Sequence, residues 1–188
     1  MFWNVPNLLT VLRIALIPVF VGIFYMPPEA IPAHWVNLTA TLIFIFAAVT
    51  DWFDGYLARK WNQTSAFGAF LDPVADKLMV VAALLVLVEL GRVGAVIALI
   101  IIMREIAISA LREWMASLGK SSSVGVAMIG KIKTAAQMVA ITFLLYHDNI
   151  GAFETHAFGQ VLIALAAFLT LVSMAYYLKA AWPVITEK

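Results

Sequence analysis

The sequence predicts an all-α polytopic membrane protein, a bundle of six transmembrane helices in which residues 1–188 form a single membrane domain. Two observations on composition and one on pattern carry that expectation. Hydrophobic residues make up 64% of the chain and charged ones 12%, about half the charged share of an average soluble domain. The apolar residues fall into six continuous runs, each near the roughly 20 residues needed to cross a bilayer. These runs are rich in Ala and Leu and do not alternate in the segments of about ten residues that mark barrel strands.

The first run, Leu8 to Met26, follows an amino terminus with no basic leader or small-residue cleavage site, so it is expected as a retained helix and not a signal peptide. The second, Trp35 to Leu57, and the third, Pro73 to Leu90, form an antiparallel hairpin through a connection around Trp61 to Ala69, with the second helix ending near Arg59 and the third beginning near Asp72. Val93 to Trp114, Ile129 to Tyr146 and Ala157 to Ala181 complete the six. The stretch after Ala157 is the least distinctive and carries no expected chemistry. Trp3, Trp35, Trp61, Trp114 and Trp182 fall near span ends, where tryptophan anchors a helix at the membrane interface.

Six spans place both termini on one side. Nine of the 12 Lys and Arg residues lie in or beside the segments on that side, Arg13 and Arg104 lie within spans, and Arg92 alone belongs to the opposite face. The positive-inside rule then makes that side, with both termini, cytoplasmic. A formal net charge of +1 argues against a nucleic-acid partner, and the lack of cysteine excludes disulfides and thiolate metal ligands.

Against this oily background stand Asp51, Asp54, Asp72 and Asp76. Each carboxylate at membrane depth is costly unless partnered. Asp51 and Asp54 share a helical face, as do Asp72 and Asp76, and the two pairs lie at comparable distances from the hairpin turn, so all four converge at one depth. Two bare charges 4 Å apart repel by about 4 kcal/mol at an effective dielectric of 20. Protons or metal ions must neutralise the cluster. Two divalent cations balance four carboxylates, and an all-oxygen set suits magnesium or manganese better than zinc. Such a pair suits displacement at phosphorus. The competing readings are carboxylates paired with Arg59, Lys60 and Lys77 at a helix end, and a proton or cation pathway.

Asp51-x-x-Asp54-Gly55-x-x-Ala58-Arg59, eight residues, then Gly68-x-x-x-Asp72-x-x-x-Asp76 resembles the signature of the CDP-alcohol phosphotransferase family at every fixed position. The resemblance implies a six-helix membrane fold, commonly dimeric, that binds two divalent ions and moves the phosphatidyl group of a CDP-linked lipid such as CDP-diacylglycerol to an alcohol, releasing CMP. It makes Asp51, Asp54 and Asp72 metal ligands and gives Asp76 a second role as the base for the acceptor hydroxyl. Arg59 would pair with the diphosphate, and Gly68 would let the loop approach the nucleotide. Gly55 and Ala58 would admit the nucleotide, or equally a neighbouring helix. Asn7, Thr10 and Arg13, three residues apart, could line the nucleotide site, while Asn7 is equally a helix-cap candidate.

The acceptor is argued from the remaining charges. Arg104 lies about ten residues into its span, with Glu105 beside it, and Arg112, Lys131 and Lys133 gather at the cytoplasmic ends of helices four and five. A pocket for a phosphate on the acceptor favours glycerol 3-phosphate over a neutral alcohol. The alternatives are a salt bridge between Arg104 and Glu105 and lipid head-group contacts for Arg112, Lys131 and Lys133. Four longer segments, NVPNLLTVLRIALIPVF, the aspartate block, REIAISALREWMASLGKSSSV and GKIKTAAQM, are similar to bacterial members of the family that use glycerol 3-phosphate.

Overall fold

A computed structural model describes residues 5–60, 66–119 and 128–186, with side chains described throughout except at 5–6, 52–60, 66–67, 69–70, 72, 128–129, 131 and 185. Among the described residues the regular structure is helical, in the six places the apolar runs predict.

Helix α1 (Val5–Gly22) contains Pro18, whose missing amide proton is tolerated inside a membrane helix because neighbouring groups re-satisfy the freed carbonyl. A 3₁₀ turn, Ile23–Tyr25, prolongs it. Met26 is then extended, with φ −70° and ψ 140°, as the residue before a proline is pushed to be. Helix α2 (Ala33–Lys60) starts beneath the carbonyl of Pro32, which accepts the amides of Trp35 at 2.9 Å and Val36 at 3.3 Å. Its 28 residues reach about 42 Å, beyond the roughly 30 Å of hydrocarbon. The apolar part stops at Asp51, so 52–60 run on toward the head-group region.

Helix α3 (Ala66–Glu89) starts well before the expected position near Asp72. The upstream AFGAFL is itself apolar and compatible with a helix, and Pro73 removes one backbone donor without ending it. Gly68, expected in the connecting loop, therefore sits buried in the first turn of α3. At the other end Gly91 takes φ +67°. The amide of Arg92 reaches the Leu87 carbonyl at 2.8 Å and that of Gly91 reaches Val88 at 3.0 Å, the paired closure of a Schellman motif. Helix α4 (Ala95–Ser117), α5 (Met128–Tyr146) and the 32-residue α6 (Thr155–Thr186) follow.

Helices α1, α2 and α6 each contain a stretch long and apolar enough to cross a membrane, over Asn7–Tyr25, Ala33–Asp51 and Thr155–Val184, and α5 is apolar from Ile132 to Tyr146. Asp76 and Lys77 of α3 and Arg104 and Glu105 of α4 face a cavity inside the bundle, described below. The chain is an integral membrane protein.

Phe20, Phe44, Leu84, Leu87, Ile101, Ile141, Leu144 and Ile163 form the core between α1, α2, α3, α4, α5 and α6. A second cluster, Ile108, Met115, Tyr177 and Ala181, joins α4 to α6. The outer surface presents Leu42, Val96, Leu99, Met103, Ile106, Val161 and Phe168, which suits contact with lipid tails. Helix α6 packs most extensively on α5. Gly159 permits the approach: a Cβ there would stand 2.8 Å from Leu144 Cγ and 3.3 Å from the Ala140 carbonyl oxygen.

The end of the bundle holding the α3–α4 and α5–α6 connections is tied by Arg92. Its guanidinium donates to the carbonyls of Leu144 (3.2 Å) and Leu145 (2.9 Å) in the last turn of α5 and to Asn37 Oδ1 of α2 (2.8 Å), completing carbonyls left open at a helix end and complementing its dipole. The chain has three histidines, and all are here: His34 Nδ1 lies 3.1 Å from Asp148 Oδ2, and the rings of His147 and His156 are 4.8 Å apart.

Candidate active site

At the opposite end, a cavity of about 690 Å³ opens among α2, α3, α4, α5 and α6, within the usual range for a small-molecule site. Asp51 of α2 and Asp76 of α3 line it together with Lys77, Arg104, Glu105, Arg112, Gln137 and Tyr177. Two of the four aspartates read from the sequence thus meet at one cavity, though they belong to different helices. The side chains of Asp54 and Asp72, and of Gly55, Ala58, Arg59 and Lys131, lie outside the described residues. Positions 54 and 72 occupy helical backbone one turn from 51 and 76, hence the same face of each helix.

Asp51 is anchored from α1. Arg13 Nη1 donates to its Oδ1 at 2.6 Å, and that arginine side chain is 1% exposed against 39% for the aspartate. The arrangement orients one carboxylate oxygen toward the bundle and leaves the group accessible from the cavity. Asn7, Thr10 and Arg13 are all buried along one stripe of α1.

The second wall is basic. Arg104, the tenth residue of α4, is 6% exposed. Its Nη2 donates to Ser173 Oγ of α6 at 2.9 Å, and its Nη1 lies 3.5 Å from Glu105 Oε1. Arg112, about two turns further on, donates from Nη2 to Tyr177 Oη at 2.6 Å. Both guanidiniums also lie over the Tyr177 ring, at 5.4 and 5.0 Å from its centroid, within cation–π range. One tyrosine thereby holds two cations side by side at the cavity wall.

Lys133 behaves differently from the expectation that it faces the acceptor. Its side chain is 1% exposed, it is not among the residues lining the cavity, and its ammonium donates to Glu105 Oε1. A buried ammonium needs a carboxylate partner, and Glu105, which does line the cavity, supplies it across the gap between α5 and α4. Glu105 serves both its neighbour Arg104 and Lys133.

Among the described residues the cavity is lined by Lys77, Arg104 and Arg112 together with Asp51, Asp76 and Glu105, and Arg13 and Lys133 stand behind Asp51 and Glu105 as their ion-pair partners. Asp51 and Asp76 come from α2 and α3, whereas Arg104, Arg112 and Glu105 come from α4, where Ser173 and Tyr177 of α6 meet the two arginines. Asp51 and Asp76 offer oxygen donors from two helices to one space, the donor chemistry that hard divalent cations prefer.

Ser173 and Tyr177 fall in the stretch from which no chemistry is expected, and the structure places them against Arg104 and Arg112. A signal does exist: Thr170, Ser173 and Tyr177 recur at helical spacing and are all buried in an otherwise apolar helix. Gln137 also escapes a reading based on charge, although it follows Lys133 by one turn of α5.

The model of the family described as CDP-alcohol phosphatidyltransferase matches residues 3–172. The chain is 54% identical over 183 residues, 96% of its own length and 96% of theirs, to proteins named "CDP-diacylglycerol--glycerol-3-phosphate 3-phosphatidyltransferase" from Escherichia coli (strain K12), Shigella boydii serotype 4 (strain Sb227) and Shigella flexneri serotype 5b (strain 8401).

Proposed function

The chain belongs to the CDP-alcohol phosphatidyltransferase family, and from that premise we propose that it transfers the phosphatidyl group of CDP-diacylglycerol to glycerol 3-phosphate, giving phosphatidylglycerophosphate and CMP. The observation that carries this reading is the polarity of the cavity, with carboxylates on one wall and a tyrosine-braced pair of arginines on the other. A neutral alcohol would not need the second wall.

The family is generally dependent on divalent cations. Asp51, Asp54, Asp72 and Asp76 would hold two of them, magnesium or manganese; when bound, they supply charge neutralisation for the diphosphate and for the departing CMP. Arg59 pairs with the diphosphate, and the small residues Gly55, Ala58 and Gly68 leave room for the nucleotide beside Asn7 and Thr10. The acceptor phosphate rests on Arg104 and Arg112, with Lys131 adding positive charge and Lys133 acting through Glu105. Asp76 takes the proton of the primary hydroxyl as its oxygen forms a bond to the β-phosphorus. The bond from that phosphorus to the bridging oxygen breaks, and the electron pair leaves with CMP. Positioning and charge stabilisation supply most of the acceleration.

The reaction takes place at the cytoplasmic surface of the inner membrane, with both termini on that side. The single membrane domain, residues 1–188, works as a homodimer surrounded by lipid. Acyl chains stay in the bilayer, and the nucleotide is received from water.

The deciding experiment supplies the purified protein with CDP-diacylglycerol, a magnesium or manganese salt and one acceptor at a time from glycerol 3-phosphate, serine, inositol phosphate and phosphatidylglycerol. Phosphatidylglycerophosphate and CMP in equal amounts are expected with the first, and Asp76→Asn should abolish both. Preference for another acceptor overturns the assignment. Ion flux in vesicles without any CDP-lipid would favour the transport reading of the aspartates instead.

A further inference from the structure

We propose that Gln137 determines acceptor specificity by receiving the secondary hydroxyl of glycerol 3-phosphate, an inference that rests on the acceptor assigned above. Gln137 stands on α5, is 3% exposed and lines the cavity shared by Asp76, Arg104 and Arg112. Its Oε1 is buried with no hydrogen-bond partner among the described residues. A buried amide oxygen left unpaired is unfavourable, whereas an apolar side chain of the same shape would sit there without that cost. The unpaired oxygen is therefore accounted for by a ligand that brings a donor.

The chemistry of the ligand follows by elimination across the cavity. The phosphate of glycerol 3-phosphate is an acceptor only and belongs with the arginines. Its primary hydroxyl gives its proton to Asp76. The group left over is the secondary hydroxyl, neutral and unreactive, which must donate its proton to some acceptor once it leaves water. Gln137 is an uncharged acceptor on the wall of the same cavity, which Met138 and Ile108 also line. An amide discriminates through a hydrogen bond without adding a negative charge near the phosphate. A site built to pair a hydroxyl rejects an analogue lacking it, because its own polar group is then stranded.

The test compares glycerol 3-phosphate with 3-hydroxypropyl phosphate, which keeps the phosphate and the primary hydroxyl and lacks only the secondary one. In mixed micelles with CDP-diacylglycerol and magnesium, the wild-type protein should favour glycerol 3-phosphate by about tenfold or more in kcat/KM. Gln137→Met should bring the ratio close to one by lowering turnover of glycerol 3-phosphate alone, with the KM for CDP-diacylglycerol unchanged. Gln137→Glu keeps the shape and an acceptor oxygen and should retain a preference, so it guards against a Met variant that fails to fold. An unchanged ratio in Gln137→Met, or an equal loss on both acceptors, overturns the role. A wild-type protein that uses neither acceptor refutes the acceptor assignment itself, a result separate from the ratio.

Discussion

Arg13 of α1 and Asp51 of α2 are joined at 2.6 Å, with the guanidinium almost wholly inside the bundle and the carboxylate facing the cavity. The pair lets the first helix fix the orientation of a carboxylate that belongs to the second. Arg13→Ala should lower CMP release by about tenfold to hundredfold, corresponding to about 1–3 kcal/mol for a charged hydrogen bond of which one partner is partly solvated. Helical content should not change. Steady-state assays on the purified variant check this, and wild-type turnover would remove Arg13 from the site.

Tyr177 braces both arginines of the basic wall. Tyr177→Phe removes the oxygen that accepts from Arg112 and keeps the ring, so the KM for glycerol 3-phosphate should rise about tenfold while that for CDP-diacylglycerol stays constant. Tyr177→Ala also removes the ring face under Arg104 and Arg112 and should cost about fivefold more. Equal changes in the two KM values would point to a general packing role for the tyrosine.

Glu105 neutralises an ammonium that has almost no contact with solvent. Glu105→Gln should destabilise the protein by about 3 kcal/mol, because breaking a buried pair leaves a charge uncompensated. Adding Lys133→Met should recover most of the loss. Thermal unfolding in detergent reads both, and a double variant no more stable than the single one would show that the pair is not the source.

The histidine end is expected to loosen in acid. Burial holds the His147 pKa below its ordinary 6.5, with Arg92 and His156 acting in the same direction and Asp148 opposing them. The unfolded connection then binds more protons than the folded one on the acid side. The imidazole's contribution to stability is full above about pH 6.5 and is lost as the pH falls through the lowered value. Amide exchange over residues 147–156, corrected for its intrinsic pH dependence, should be faster at pH 5.5 than at pH 7.5. Equal protection at the two values would exclude this role.

Much of this was legible in the chain because membrane helices are long and their polar residues conspicuous. Among the described residues each apolar run is covered by a helix, and the inward position of Arg104 follows from a charge at bilayer depth. The start of α3 was hidden by Pro73, which reads as a helix beginning yet lies within one. The partners of the charges were less visible. Glu105 adjoins Arg104 in sequence, but its bond to Lys133 spans 28 positions, and no local spacing encodes which helix α5 will face. Ser173 and Tyr177 carry no charge, so a search for charge passes over them although they position the arginines.

Helix α6 is apolar around nearly its whole circumference, so greasiness alone cannot tell it which way to turn once it has entered the bilayer. The stripe of Thr170, Ser173 and Tyr177 breaks that symmetry. Insertion and rotational docking are consequently specified by separate residues: a copy of α6 with the stripe replaced by leucine would still cross the membrane, but only the close fit of Gly159 on α5 would be left to set its azimuth, because lipid and leucine are equally apolar neighbours.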